Sequence, residues 1–378
     1  MATLTIAGDY TSALTHFALY GLSLMVEQKH PGAVTVGWSQ EGQPRAQMHA
    51  DVTHSSGCVS WVAQEGQPRA QMHAEGVPEE EIAECVHSYV SSLAAEDSWV
   101  NVDQSYGAGK EAAVFSPFSP RFRGIDAEKY PDDWASHQKT RQAHLDALME
   151  RDDLLSLLWI AGLGESAYWR FEAKAPRPDH GASRWEMKTR NKGQEFVKDR
   201  LRLMCADLAT WEPSAMLSGI TGQTLYDSLD KKPDSRTGTG FTVPQPTDTA
   251  LAFCALVGVA NFPVIHQVHR IGVTPGAYPY NALHPRLMVL PVSSGKVTPA
   301  RLRTVLRSHP YRRVVDEVGK AMERGSLSPD IFVSELADEK AILREKGVQA
   351  FVAFPVVKVG SDSAPERQVL KGSAIPLG

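Results

Sequence analysis

The sequence predicts an α+β protein, and two observations favour that class, while the length bears on the number of domains. Apolar residues recur every three or four positions in long segments such as 77–95, which is the period of an amphipathic helix. Short apolar runs of strand length, such as Val34–Trp38, are also present. A chain of 378 residues is too long for one small core. We therefore expect an N-terminal α+β domain over 1–175 and a mainly helical C-terminal domain over 184–378, with strands near 264–292 and 349–359.

Composition excludes several classes of protein. A hydrophobic content of 42% is ordinary for a globular chain. A net charge of −5 does not fit a protein that coats nucleic acid without sequence preference. No apolar run approaches the ~20 residues of a membrane helix, and the N-terminus lacks the pattern of a signal peptide. The scattered cysteines predict reduced thiols and a cytoplasmic location: Cys58, Cys85, Cys205 and Cys254.

The chain opens with a predicted helix over 11–28. Thr11 or Ser12 is a suitable N-cap, and an apolar stripe runs along the segment. Gly21 lies on that stripe, which favours close packing against another helix. Val34–Trp38 follows as a short strand.

An eleven-residue sequence, QEGQPRAQMHA, occurs twice, at Gln40–Ala50 and Gln64–Ala74. Each copy follows an apolar stretch with a tryptophan and predicts a strand, a Gly-Gln-Pro turn and a polar strand. We expect two hairpins at the surface, so deletion of one copy should leave a folded protein. The nearby His and Cys residues match no standard zinc spacing, and we predict no metal site: His49, His54, Cys58 and His73.

Two loops of the N-terminal half carry cations with possible roles in binding. The segment 105–111, SYGAGKE, is Gly-rich and contains Lys110, but its spacing is not that of a Walker loop. Residues 115–131 place Arg121 and Arg123 beside aromatics, which is typical of surfaces that stack unpaired bases. The alternative for this second loop is that its Phe side chains anchor it in the core.

The later part of the chain alternates helices and strands. Residues 132–160 predict one or two helices, and 212–248 predicts a surface loop because it is rich in Pro, Gly, Thr and Ser. Thr247–Thr249 is a capping sequence for a buried, strongly apolar helix that Pro263 ends. The remaining predictions are strands at 264–273, 286–292 and 349–359, and helices from Pro299, over 311–322 and over 335–346.

The stretch from Arg184 to Arg202, here the first basic stretch, is the main candidate for a binding surface. It contains seven Lys or Arg residues against three acids, within an acidic chain. Its helix has an apolar face of Val197, Leu201, Met204 and Leu208, and the opposite surface is polar. We predict that it contacts DNA through Lys188, Arg190, Asn191, Lys192, Lys198 and Arg202. The alternative is a solvated amphipathic helix. Residues 301–324, the second basic stretch, are also basic in excess.

Standard catalytic motifs are absent from the sequence, including the nucleophile elbow, the zinc-protease helix and the dinucleotide fingerprint. Pro178-Asp179 followed by Glu186-Met187-Lys188 resembles the P-D…E-x-K pattern of metal-dependent nucleases, in which two acids hold a divalent cation. The gap between the acids is short, and Asp179 lies in a Pro/Gly loop. We therefore keep a divalent-metal nuclease as the alternative function and predict no catalytic residue.

Four features, in this order along the chain, resemble the smaller type of large subunit found in type I CRISPR interference (Cascade) complexes. These are an early helix with a glycine, ALTHFALYGLSLM; a basic segment leading through KGQ into an amphipathic helix; a polar stretch ending in TGTGFTVPQPTD; and an apolar helix closing on a proline, TDTALAFCALVGVANFPV. Together they cover about half of the chain. The duplication is not part of this resemblance.

The resemblance implies a subunit that is not an enzyme and needs no cofactor. It implies a clamp that reads the motif flanking the target, helps to open the duplex and recruits a helicase–nuclease. The implied partners are the CRISPR RNA, the target DNA and the other subunits of the complex. The loops at 188–192 and 105–110 are then the expected DNA contacts.

Overall fold

The computed structural model describes residues 2–39, 45–48, 59–62, 68–121, 129–173, 175–185, 195–228, 240–293, 297–325, 336–361 and 364–377. These residues form helices together with several small antiparallel sheets, which confirms the α+β class. In the described part of the chain, no helix is long and apolar enough to cross a membrane.

The α-helices of the described residues lie where the sequence predicts most of them. Their bounds are α1 Ala13–Lys29, α2 Glu79–Ala94, α3 Pro131–Glu150, α4 Leu154–Leu163, α5 Arg202–Leu208, α6 Pro213–Thr221, α7 Thr249–Gly258, α8 Pro299–Leu306, α9 His309–Glu323 and α10 Ala337–Glu345. The prediction of a loop over 212–248 is wrong at its start, because α6 begins on Pro213 and ends at the left-handed Gly222.

The strands form one three-stranded sheet, one larger sheet and three two-stranded ribbons. Their bounds are β1 Ala2–Thr5, β2 Val34–Trp38, β3 Arg45–Met48, β4 Val59–Val62, β5 Ala70–Ala74, β6 Gln104–Tyr106, β7 Ala113–Phe115, β8 Phe171–Glu172, β9 Ala175–Pro176, β10 Ala277–Tyr278, β11 Leu287–Ser293, β12 Val348–Ser361, β13 Ala364–Val369 and β14 Ser373–Pro376.

Two helices at the centre of the core pack through reciprocal glycines. A Cβ on Gly21 of α1 would lie 1.8 Å from the carbonyl oxygen of Cys254 in α7, and a Cβ on Gly258 would lie 2.1 Å from that of Phe17. Only glycine permits backbones to approach this closely. The predicted close packing at Gly21 and the burial of the 250–262 helix are both confirmed.

Local side chains begin these two helices. The Ser12 hydroxyl accepts a hydrogen bond from the Thr15 amide, and the Asp248 carboxylate accepts from the Ala250 and Leu251 amides. Such caps satisfy amides that have no partner within the helix. Both caps lie where the sequence predicts them.

The two copies of the duplicated sequence have different places in the fold. In the first copy, β3 pairs with β4 in a two-stranded ribbon. In the second copy, β5 is the central strand between β1 and β2, with Ala70, Met72 and Ala74 fully buried. The predicted surface location is therefore wrong for the second copy, since its alternating Ala-Gln-Met-His-Ala pattern places one face in the core. His49, His54 and Cys58 lie outside the described residues.

The larger sheet has the order β10-β11-β12-β13, with β14 also paired to β12. Strands β11 and β12 confirm the predictions at 286–292 and 349–359. The strand predicted at 264–273 is wrong, because only Ile265 and Val273 pair there, and the residues between them form a loop. Among the described residues, no strand lies beside this segment along its length, so it gains no ladder of hydrogen bonds.

The hydrophobic core includes residues from both of the predicted domains. Val36 in β2 forms a β-bridge with Val297, and the Tyr20 hydroxyl donates to the Pro291 carbonyl at 3.2 Å. The division into two domains stays a prediction. Three cysteines are buried free thiols, and burial raises their pKa: Cys85, Cys205 and Cys254.

Candidate nucleic-acid interface

The helix of the first basic stretch buries the predicted face. A π-helical turn, Val197–Leu201, continues directly into α5. All four predicted core positions are fully buried: Val197, Leu201, Met204 and Leu208. The predicted amphipathic orientation is confirmed for this part of the stretch, and its polar side carries Lys198 and Arg202.

Two of the three acids in this stretch cap its own helix. The buried Glu195 carboxylate accepts hydrogen bonds from the amides of Ser116, Val197 and Lys198 at 3.3, 2.9 and 2.7 Å. Asp199 in turn accepts from the Glu195 amide at 2.7 Å. Burial raises the pKa of Glu195, with the hydrogen bonds opposing that rise. These acids therefore serve as a reciprocal cap, as in a capping box.

Lys198 and Arg202 lie one turn apart and converge on Asp103, which follows the 3-10 turn Trp99–Asn101. The Lys198 Nζ lies 3.5 Å from Asp103 Oδ2, and the Arg202 Nη2 lies 2.9 Å from Oδ1. Partial burial of Asp103 opposes its ionisation, but the hydrogen bonds and charges of Arg202 and Lys198 lower its pKa overall. Both cations predicted to extend a DNA contact thus already have an intramolecular partner.

The stretch begins at a buried arginine with a structural role. Arg184 is only 1% exposed, and its guanidinium donates to the carbonyls of Leu283, Asp179 and Ala182 at 3.2, 3.1 and 2.7 Å. The neighbouring Trp185 indole donates to the Pro275 carbonyl at 2.9 Å. The Arg184 side chain therefore joins the 179–184 turn to the segment at Leu283, and its burial keeps it from a ligand.

The remaining predicted contacts are dispersed. Lys110 is exposed in the 3-10 turn Gly109–Glu111, and Arg121 is half-buried. Phe115 and Phe118 of the same loop are buried, which favours the anchored-loop interpretation for 115–121. The other predicted site residues lie outside the described residues: Arg123, Lys188, Arg190, Asn191 and Lys192.

The structure describes one member of the alternative nuclease pattern. Asp179 lies in the 3-10 turn Pro178–Gly181, not at the end of a strand. Glu186 and Lys188 lie outside the described residues. Among the residues that are described, no cluster of three or more His, Cys, Asp or Glu side chains has the arrangement of a metal site.

The second basic stretch has a different environment from the first. Residues 301–324 contain seven Lys or Arg residues against three acids, and they form most of α8 and α9. Arg301, Arg307 and Arg312 are exposed. Across the described ranges, none of these three forms an ion pair, whereas Arg313 pairs with Glu339 and Lys320 pairs with Glu317.

Like charges are close together on this surface. The pKa of Arg303 is lowered by partial burial and then by the charge of Arg307, with Glu27 opposing the shift. Two guanidinium groups that repel each other gain from an anion placed between or beside them. The exposed arginines of α8, of α9 and of the turn between them therefore favour an anionic ligand.

A cavity of about 520 Å³ opens beside these arginines. Its apolar lining includes Pro263, Ile265, Val273, Leu306 and Val315, and its polar lining includes Tyr280, Arg307, His309, Arg312 and Asp316. The guanidinium carbon of Arg312 lies 4.5 Å from the centre of the Tyr280 ring, a cation–π contact. Sequence patterns do not reveal this cavity, because the two segments that line it are about thirty residues apart. The basic excess of 301–324 was the available signal.

Comparisons with protein-family models, with curated proteins and with solved structures return no match for this chain.

Proposed function

We propose that this protein is a non-catalytic nucleic-acid-binding subunit of a CRISPR RNA-guided surveillance complex. In that role it reads the motif flanking the target, stabilises the opened duplex and recruits the helicase–nuclease. The observation that supports nucleic-acid binding is the exposure of Arg301 in α8, Arg307 in the turn after it and Arg312 in α9. The assignment to a CRISPR complex rests on the order of sequence features.

Exposed arginines that form no ion pair within the described residues suit a phosphate backbone. Each guanidinium has five donors in a planar fork, which matches phosphate oxygens. Binding also releases the counterions condensed on the nucleic acid, so the affinity falls as salt rises. Lys198 and Arg202 are weaker candidates, because a phosphate must first compete with Asp103.

Sequence-specific contacts belong to other parts of the proposed interface. Phosphate contacts fix the position of the protein, whereas groove contacts discriminate between bases. Asn191 is the candidate for a base contact, because an amide pairs with the edge of adenine. Lys110, Arg121, Arg123, Lys188, Arg190 and Lys192 are further proposed backbone contacts.

The test measures binding of target duplex by the assembled complex across a range of salt concentrations. Replacing Arg301, Arg307 and Arg312 with Ala should lower the affinity and reduce the salt slope by about three, roughly one for each lost contact. Lys320→Ala is the matched control, because this exposed cation on α9 already pairs with Glu317. An unchanged slope in the triple variant contradicts the proposal.

The nuclease alternative has its own measurement. Cleavage of plasmid DNA by the purified protein, abolished by a chelator and by Glu186→Ala, would favour the metal-dependent enzyme. Binding without cleavage would favour the proposed subunit.

A further inference from the structure

We propose that the cavity between the 263–280 segment and helices α8 and α9 binds one unpaired nucleotide, with its base inside and its phosphate at Arg307. This inference rests on the proposed nucleic-acid binding and names the part of the ligand that this site takes. The cavity volume of about 520 Å³ lies within the usual range for small-molecule sites, about 300–1,000 Å³.

The walls of the cavity suit a base. Pro263, Val273 and Val315 provide apolar surface on several sides. Arg312 stacked on Tyr280 adds a flat, cationic edge of the type on which unpaired bases stack. Such surfaces are sequence-tolerant, because every base has a π-face.

The charges of the cavity are ordered along helix α9. Arg307 and His309 lie at the N-terminal end of this helix, where its dipole also favours an anion. Asp316 lies seven residues after His309, which corresponds to about 10 Å along the helix axis at ~1.5 Å per residue. Arg312 lies between the two ends.

This order fits the two ends of a nucleotide. A phosphate is favoured at the Arg307 end and disfavoured near the Asp316 carboxylate. A base amino group is favoured at the Asp316 end, because a carboxylate only accepts hydrogen bonds when ionised. We therefore expect the cavity to prefer bases with an exocyclic amino group, such as cytosine, over thymine.

Two exposed apolar residues of the same loop provide a matched pair of variants. Ile265 is 55% exposed and lines the cavity, whereas Val268 is 67% exposed and does not line it. Ile265→Glu places a negative charge at the cavity, and Val268→Glu adds the same charge to the loop outside it. Since both side chains are exposed, neither change should disturb the fold.

The experiment measures the fluorescence anisotropy of labelled dC and dT dodecamers, and of a duplex, with the full-length protein. Ile265→Glu should weaken dC binding about 5- to 150-fold, the range for loss of one stacked base. It should weaken duplex binding much less, because the proposed duplex contacts include Arg301 outside the cavity. Val268→Glu should behave as the wild type. Asp316→Asn should remove the preference for dC over dT.

The outcomes separate this inference from the proposed function. If the wild type binds neither the oligonucleotides nor the duplex, the proposed function fails. If the wild type binds both but Ile265→Glu behaves as Val268→Glu, only the cavity inference is overturned. A phosphoserine peptide that binds the wild type and loses binding in Ile265→Glu, with the dodecamers unaffected, overturns it in favour of a peptide ligand.

The duplicated segment carries an independent inference about folding. Deleting residues 40–63 or residues 51–74 produces the same polypeptide, because the two copies are identical. The chain therefore offers two identical sequences for one central strand. In the observed arrangement that strand is β5, which pairs with both β1 and β2.

We infer that the central position of this sheet accepts either copy. Residues 45–48 have the same sequence as residues 69–72. Either copy can therefore form the same hydrogen-bonded pairs with β2. Exchange moves about two dozen residues from the connection before the central strand to the connection after it. The entropy of loop closure grows only with the logarithm of length, so the two arrangements differ little in this cost.

Substitutions in each copy test the exchange. Met72→Asp places a charge at a fully buried position of the central strand, and Met48→Asp is the equivalent change in the first copy. Each single variant should unfold cooperatively near the wild-type Tm, because the other copy remains. The double variant should melt far lower or fail to fold. If Met72→Asp alone is as damaging as the double variant, the exchange is overturned.

Discussion

The two basic stretches have the same charge composition and different structural roles. Each contains seven Lys or Arg residues against three acids. In the first, Arg184 is buried among backbone carbonyls, and Lys198 and Arg202 pair with Asp103. In the second, Arg301, Arg307 and Arg312 are exposed and, within the described residues, form no ion pair.

The difference teaches that a local excess of charge does not identify a binding surface. Cations near the core are held by acids or backbone carbonyls, some of them distant in sequence, whereas cations on an exposed helix face remain able to attract an anion. The available charge therefore depends on the tertiary partner of each cation. The predictions below test this contrast between the stretches.

The largest expected effect is on stability, at the start of the first stretch. Arg184→Ala leaves buried and partly buried carbonyls without their donor and should lower the free energy of unfolding by about 3 kcal/mol. Arg301→Ala on the exposed face is the control and should change it by less than about 0.5 kcal/mol. Urea denaturation measures both. A small effect of Arg184→Ala would contradict the structural role given to this side chain.

The next prediction concerns the part of the first stretch outside the described residues. Replacing Lys188, Arg190 and Lys192 with Ala should weaken duplex binding uniformly across sequences and reduce the salt slope by about three. The assay uses the assembled complex. Unchanged affinity and slope would remove this segment from the site and make the two stretches more different still.

A single amide in the same segment should affect specificity more than affinity. Asn191→Ala should change the sequence preference of duplex binding by about 1–3 kcal/mol, because it removes a candidate contact to a base edge. Competition between duplexes with different flanking sequences measures this preference. Equal weakening for every sequence would make Asn191 a backbone contact.

Removing the charge of Asp103 tests whether Lys198 and Arg202 can become available to a nucleic acid. Asp103→Asn should lower stability by less than about 1 kcal/mol, because the ion pairs are partly exposed. It should also raise nucleic-acid affinity slightly, since Lys198 and Arg202 lose their competitor. A fall in affinity would mean that Asp103 positions these cations for binding.

The ion pairs of Asp103 with Lys198 and Arg202 make stability depend on pH in a defined direction. The folded state lowers the pKa of Asp103, so its contribution to stability is present above the unfolded pKa of about 4. That contribution is lost as the pH falls through the lower, folded value. The wild type and Asp103→Asn should therefore converge in stability in acid, and a difference that persists there would contradict the ion pair.

The smallest effect is expected at the nuclease-like pattern. Asp179→Ala should leave target interference intact, because the Asp179 contact to Arg184 uses its backbone carbonyl. Glu186→Ala should also have no effect. Loss of interference by Glu186→Ala in a stably folded protein would reverse the ranking of the two functions.

Sequence alone predicted the features that depend on neighbouring residues. The caps at Ser12 and Asp248, the apolar face from Val197 to Leu208 and the glycine contact at Gly21 follow from helical period and local hydrogen bonding. The α+β class follows from the same patterns. These patterns lie within a few helical turns, so no knowledge of the fold is needed to find them, whereas the partner of Gly21 in α7 is set by tertiary packing.

Tertiary structure decided the features that join distant segments. The pairing of Lys198 and Arg202 with Asp103 links residues that lie nearly a hundred positions apart. The cavity exists only because the 263–280 segment meets α8 and α9, and identical copies of QEGQPRAQMHA differ in role because one of them pairs with two strands. The physical reason is that charge, burial and strand pairing depend on neighbours in space, which the order of residues does not specify locally.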